Sequence, residues 1–248
     1  MTISGAKEGG ARSDIFLPWP PLTEGVLLKR YKRFLADVRL ASGEIITAHT
    51  PNTGAMLECS EPGRPVFLSY HDSPNRRYAY SWEMIAMPDS LVGVNTVLPN
   101  RLAHLALAGG VLTGGQVPIK TEREVRVGEG KSRLDLRALT SDGTEVLVEV
   151  KSCTLVKDGR ALFPDAVSLR GAKHLRELMA MVGEGRRNIL LVLVQRAGAE
   201  VFSPADGIDP DWGRGLREAV KAGVELMVNR VDLSLTKAAW GPALEASL

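Results

Sequence analysis

The stretch VLVEVKS at 146–152 sets Glu149 and Lys151 inside an otherwise apolar, β-branched run. Successive side chains on a strand point to opposite faces, so Val148 and Val150 share one face while Glu149 and Lys151 share the other. Such a strand packs on one side and presents a carboxylate and an ammonium on the other. The preceding segment SRLDLRAL, at 132–139, places Asp135 on a second strand, joined to the first through a turn at Ser141, Asp142 and Gly143. Antiparallel pairing across that turn brings Asp135 towards Glu149 where the register allows.

Two carboxylates on one face repel unless something positive lies between them. A hard divalent cation fits: Mg²⁺ or Mn²⁺ takes oxygen ligands, keeps several waters and often uses one or two protein carboxylates together with a substrate phosphate. Asp135 and Glu149 are then the metal ligands, and Lys151 orients the attacking water or stabilises charge growing on the phosphate. The plainer alternative pairs Asp135 with Arg133 or Arg137, and Glu149 with Lys151, as solvated cross-strand partners. Glu124, in TEREVRVG, stands on the strand before Asp135 and either approaches the same site or pairs with Arg123 or Arg126. Lys173 and His174, in RGAKHLREL, open a helix with Arg170 and Arg176 on its early turns. That cluster either holds a phosphate or forms a solvated flank.

Around this centre the grammar is α/β. TVLPNRLAHLALAGG reads as a helix that stops at Gly109 and Gly110, and VSLRGAKHLRELMAMVGEG as a second helix of about four turns. NILLVLVQR is an almost wholly apolar strand of the kind that runs through the middle of a covered sheet. GRGLREAVKAGVELMVNRVDL supplies a last helix and strand. The first part of the chain differs. Residues 1–21, rich in Gly and Pro, read as a flexible arm. LLKRYKRFLADVRL, GEIITAHTPN, PVFLSYH and YAYSWEMIAM read as short strands, forming either a small barrel or a loose sheet packed on the rest. The expected division is 1–21, 22–87 and 88–248, with the main boundary near 86–92.

Composition narrows the partners. With 248 residues and 44% apolar content, the chain supplies a core without disulfides. Cys59 and Cys153 lack thiolate zinc spacing. The formal charge is +2, yet 21 of the 31 basic residues are arginine, whose rigid fork suits phosphate. No apolar run near the start resembles a secretory signal, and none approaches the roughly 20 residues that span a bilayer. The expectation is a cytoplasmic protein with no membrane partner and no obligate protein partner, and a homodimer is allowed. The run KRYKR at 29–33 is the composition of a single-strand groove, cations along the backbone and an aromatic ring for a base, although a barrel rim can carry the same residues. Read as a strand, it puts Lys29, Tyr31 and Arg33 on one face, and Arg30 and Lys32 on the other. Arg76 and Arg77, after DSPN, thicken the same positive field. His49 and His71 have no metal-like spacing and read as structural.

LLKRYKRFLADV, HTPNTGAM, LSYHDSPNRRYAYSWEMI, GVNTVLPNRL, KSRLDLRAL, VEVKSCTL, FPDAVSLRGAKHLRELM and FSPADGIDP, in this order, resemble the sugar fermentation stimulation protein A family. The resemblance implies an OB-like barrel followed by a restriction-endonuclease-like α/β domain of the PD-(D/E)xK type. It also implies DNA binding, and a link to sugar use, maltose in particular. Carried over by position, it places the motif aspartate at Asp135, the glutamate and lysine of ExK at Glu149 and Lys151, and an assisting glutamate at Glu124. One departure is Leu105, where such nucleases keep an acidic helper on the first helix, and a leucine cannot ligate a metal. The resulting expectation is a largely sequence-independent DNA-binding protein with a Mg²⁺- or Mn²⁺-dependent phosphodiester hydrolase site. DNA contacts fall to Lys29, Arg30, Tyr31, Lys32, Arg33, Arg76, Arg77, Lys173 and His174. The alternatives are a non-catalytic regulatory DNA-binding protein and an enzyme acting on a small phosphorylated metabolite.

Overall fold

The computed structural model describes residues 2–3, 12–127, 132–183 and 185–248. Three helices, α1 (Val97–Ala108), α2 (Leu169–Ala180) and α3 (Pro210–Lys221), pack among three sheets.

The first sheet is the barrel. Its six strands run in the order Ile45–His49, Leu35–Leu40, Leu22–Tyr31, Pro65–Tyr70, Tyr80–Ala86 and Leu91–Gly93. Ala48 and His49 of the outer strand pair with Tyr80 and Ser81, which closes the sheet on itself and removes an edge. Leu27, Val38, Ala48, Val66, Leu68 and Trp82 fill the interior. The barrel sheet therefore includes Leu91–Gly93, beyond residue 87.

The second sheet has seven strands, in the order Arg12–Pro18, Lys237–Ala243, Glu225–Leu233, Arg186–Val194, Glu145–Cys153, Ser132–Leu139 and Lys120–Val127. Its middle three strands are parallel and its flanks antiparallel. Ile189 through Val194 are fully buried, as the apolar run NILLVLV requires of a strand covered on both faces. α1 covers one face, against Leu136, Val146, Val148 and Leu191, while α2 and α3 cover the other, against Leu147, Leu190 and Val192.

One expectation is overturned. Residues 12–18, read as part of a flexible arm, form an edge strand hydrogen-bonded antiparallel to Lys237–Ala243. Ile15 and Leu17 alternate into the core, so the segment stabilises the α/β domain. Residues 1 and 4–11 of the expected arm lie outside the described residues. A third, small sheet, Thr2–Ile3, Glu245–Ser247, Val201–Pro204, Arg160–Phe163 and Leu155–Lys157, also goes beyond the expected element list.

The two parts are tied by polar contacts. Both oxygens of Asp89 accept from Arg196 Nη2, at 3.1 and 3.0 Å, and the Gly93 amide donates to the Gln195 carbonyl at 2.9 Å. Met56 N donates to Asp165 Oδ2 at 2.7 Å, pinning the loop after the third barrel strand to the α/β domain.

Candidate active site and nucleic-acid surface

Strands Ser132–Leu139 and Glu145–Cys153 pair regularly from Leu139↔Glu145 to Leu136↔Val148, then part. Asp135 and Glu149 are the next positions in that register, at the mouth of the split. The Val150 amide, released from the ladder, donates instead to Asp135 Oδ2 at 2.7 Å, and Asn100 Nδ2 of α1 donates to Asp135 Oδ1 at 2.7 Å. The split therefore creates the Asp135 position and satisfies the backbone group it frees.

Glu149 is 2% exposed. Its Oε1 accepts from Lys151 Nζ at 2.5 Å and from His174 Nδ1 of α2. Its Oε2 is buried with no hydrogen-bond partner. His174 Nε2, at the other end of the ring, accepts from Arg170 Nε at 3.4 Å. The helix is set for this contact. Ser168 Oγ caps it by accepting from Gly171 N at 3.1 Å, and Asp209 accepts from both Ser168 N and Trp212 N, tying the starts of α2 and α3 together. A Cβ on Gly171 would sit 2.7 Å from Ser168 Oγ and 3.1 Å from the Trp212 ring, so only glycine lets α2 settle low enough to bring His174 onto Glu149.

The electrostatics are those of two acids sharing one place. Burial, and then the charge of Glu149, push the Asp135 carboxyl up to about 6, against the opposing pull of the Val150 amide, Lys151 and Asn100. Burial also pushes Glu149 upward, but the hydrogen bond from His174 and the charge of Lys151 outweigh it and hold that carboxyl below its ordinary range.

The structure thus brings Asp135, Glu149, Lys151 and His174 together, whereas Glu124 stands on the neighbouring strand. Glu124 falls across from Asp135, between the pairs Val125↔Leu134 and Arg123↔Leu136, but its φ of 53° breaks the ladder. Its side chain is exposed and makes no hydrogen bond or ion pair with either acid. The position of Leu105 also changes meaning. It is 38% exposed and lies about 140° around α1 from Asn100, the residue that reaches the site. Sequence reasoning overlooked Asn100, since nothing in the spacing of VLPNRLAHL shows which helix face crosses the strand split. His174, expected among phosphate-binding groups, is instead 6% exposed and committed to Glu149. Lys173 is on the surface, paired with Glu177 at 3.5 Å.

The basic run is likewise redistributed. The strand ends at Tyr31, and Lys32 and Arg33 form the hairpin turn with φ of 50° and 66°, so the face assignment across all five residues fails after Tyr31. Lys29 Nζ pairs with Asp37 at 3.3 Å and lies 5.3 Å from the centre of the Tyr31 ring, whose hydroxyl donates to the same carboxylate at 2.9 Å. Arg30 is a strut: Nη1 donates to Ala55 O at 3.2 Å, and Nη2 to Asn52 O at 3.0 Å and Gly54 O at 2.8 Å. Lys32 and Arg33 project as exposed cations. Arg77 is exposed over the Tyr78 ring at 5.5 Å, and Arg76 Nη2 donates to Ser81 Oγ at 3.2 Å.

These roles separate in experiment. Arg30→Ala is expected to destabilise folding by about 2–3 kcal/mol, because it leaves loop carbonyls without their charged donor. Replacing Lys32 and Arg33 together is expected to leave stability unchanged and to lower the slope of log K against log salt for DNA by about two. Denaturant unfolding and a salt titration check the pair.

Among the described residues, no group of three or more His, Cys, Asp or Glu side chains is arranged to hold a metal ion, and no helix is long and apolar enough to cross a membrane. Comparison with known proteins agrees with the two-part architecture. The SfsA N-terminal OB domain matches residues 28–94, and the sugar fermentation stimulation protein RE domain matches residues 97–237. A sugar fermentation stimulation protein homolog of Geotalea daltonii is 50% identical over 216 residues, spanning 87% of this chain and 92% of that protein. A homolog from Shewanella baltica is 46% identical over 219 residues, spanning 88% and 94%. Pyrococcus furiosus SfsA, solved in complex with Ca²⁺, shares 28% identity with a TM-score of 0.84, covering 94% of this chain and 98% of that one. The OB-like barrel, the α/β domain behind it and these matches across nearly the whole length make the chain a member of the sugar fermentation stimulation protein family.

Proposed function

We propose that the protein binds DNA and that its α/β domain hydrolyses phosphodiester bonds with Mg²⁺ or Mn²⁺ held at Asp135 and Glu149. The observation that carries this reading is Glu149 Oε2, a buried carboxylate oxygen without a protein partner, beside an aspartate that burial, and then the Glu149 charge, push up to about 6. A buried anion left short of hydrogen bonds is costly, and a hard cation is the group that relieves both acids at once. The Ca²⁺ complex of the Pyrococcus furiosus relative supports an oxygen-seeking divalent ion in this fold.

When bound, such an ion polarises a phosphoryl oxygen and lowers the pKa of a bound water. The chain's own groups prepare for that. Asn100 and the Val150 amide fix the Asp135 carboxylate in the strand split, and His174 fixes Glu149 from the opposite layer. Lys151 holds an ammonium beside Glu149, where it can orient water or offset charge on the phosphate. Lys32, Arg33, Arg76 and Arg77 supply sequence-independent contacts to the DNA backbone.

A second reading, a non-catalytic DNA-binding regulator connected with sugar (maltose) metabolism, draws on the absence of a third acid near the pair among the described residues. The two separate cleanly. Wild type with Mg²⁺ or Mn²⁺ is expected to nick supercoiled DNA, and Glu149→Gln to slow nicking by at least about 100-fold while DNA is still retained at low salt. Retention with no cleavage in either ion selects the regulator.

A further inference from the structure

A cleft of about 260 Å³ opens where the barrel meets the α/β domain, away from the carboxylate pair. Its apolar lining includes Trp19 with Pro18, Pro20 and Pro51, and Trp19 is held by its Nε1–H donating to Ser234 O at 2.9 Å and its amide donating to Thr236 O at 3.0 Å. Arg76, Arg101, His49 and His71 line the same cleft.

Among the described residues, the two arginines meet no carboxylate in the cleft. Glu83, 6% exposed, is the acid within reach, but Oε1 accepts from Ser69 Oγ at 2.6 Å and Oε2 from Asn95 Nδ2 at 2.8 Å. Ser69 in turn accepts from His71 Nε2 at 2.9 Å. Neither Arg76 nor Arg101 forms an ion pair among the described residues. Burial, and after it the charge of Arg76, hold both imidazoles below their ordinary value, and all three groups line the cleft. Two guanidinium forks without carboxylates, converging with two imidazoles, match the oxygens of a phosphate. The apolar lining adds a surface for a flat apolar group. The volume lies just under the range of about 300–1,000 Å³ usual for small-molecule pockets and suits one nucleotide, not a duplex.

We propose that this cleft takes a phosphomonoester carried on a nucleoside, either a free mononucleotide or the phosphorylated end of a nucleic-acid strand. The strand-end form rests on the DNA-binding reading above, whereas the free-nucleotide form stands without it.

Tryptophan fluorescence reports the site selectively. Trp82, Trp212 and Trp240 are fully buried, which leaves Trp19 as the one of the four tryptophans that a ligand in the cleft can touch. Titrating the full-length protein with AMP, with a short 5′-phosphorylated single strand and with its 5′-hydroxyl twin is expected to quench emission saturably for at least one phosphorylated ligand and not for the twin. Arg101→Ala, at an exposed position that tolerates truncation, is expected to weaken that binding at least about tenfold, and Arg214→Ala on α3 to leave it unchanged. Quenching by AMP alone identifies a free nucleotide as the ligand, and quenching by the strand alone identifies a terminus. The proposal is overturned by equal quenching with the phosphorylated and hydroxyl strands when AMP gives none, by affinity unchanged in Arg101→Ala, or by no response to either phosphorylated ligand. Retention of long duplex DNA at low salt, measured in parallel, keeps failure of the cleft distinct from failure of DNA binding.

Discussion

Asp135→Asn is expected to make the metal-free protein more stable, by about 3 kcal/mol above pH 7 and by only about 0.5 kcal/mol at pH 4. The folded carboxyl titrates near 6, against an ordinary 3.8. Between those values the folded state holds a proton that the unfolded chain has lost, so stability from this group falls as pH rises through the window, and above about 6.5 the penalty is complete. The difference between about 6 and 3.8 is worth about 3 kcal/mol. An asparagine escapes the titration while keeping the local hydrogen bonds: its carbonyl can accept from the Val150 amide, and Asn100 can turn its own oxygen towards the new amide. Denaturant unfolding of both proteins in chelator, at intervals from pH 4 to pH 8, yields a difference curve that should rise through pH 4–6 and then level. A flat curve would show that burial and the Glu149 charge do not act on Asp135 as described.

The acid pair was legible in VLVEVKS because the strand that carries it is regular. Alternation put Glu149 and Lys151 on one face, and the hairpin register, Leu136↔Val148, makes Asp135 and Glu149 the next positions. What decides the site beyond that point is a departure from regularity. The strands part after Val148, and neither the rehoused Val150 amide nor the Asn100 contact follows from a period of two or of 3.6 residues. His174 was visible as a helical residue near arginines, but its face is set by the packing of Gly171 on Trp212 and by Asp209 bridging two helix starts. The edge strand Arg12–Pro18 stayed hidden for a different reason. Its alternating Ile15 and Leu17 are few, prolines follow, and the pairing partner Lys237–Ala243 lies at the far end of the chain. KRYKR shows the reverse error: alternation was extended into a turn, and the run divides into a strut, a surface ion pair and two exposed cations.

Lys151→Met separates a charge that serves the fold from one that serves the metal site. In metal-free protein the substitution strands Glu149, a carboxylate 2% exposed, with His174 as its remaining donor, and removing one partner of a buried ion pair typically costs about 3–5 kcal/mol. Methionine fills the same space, so the loss is electrostatic and not a cavity. Because His174 still donates, the expected cost is at the lower end, about 3 kcal/mol. Added Mn²⁺ or Ca²⁺ should then restore most of this stability, since a divalent ion at Asp135 and Glu149 replaces the missing ammonium with a larger positive charge. The same ions should stabilise wild type less, because its Glu149 is already partly neutralised. Cleavage should stay lost in the rescued variant if Lys151 acts on water or phosphate, as proposed. Destabilisation that no divalent ion relieves would mean that Lys151 and Glu149 form a closed structural pair, with no cation needed between the acids.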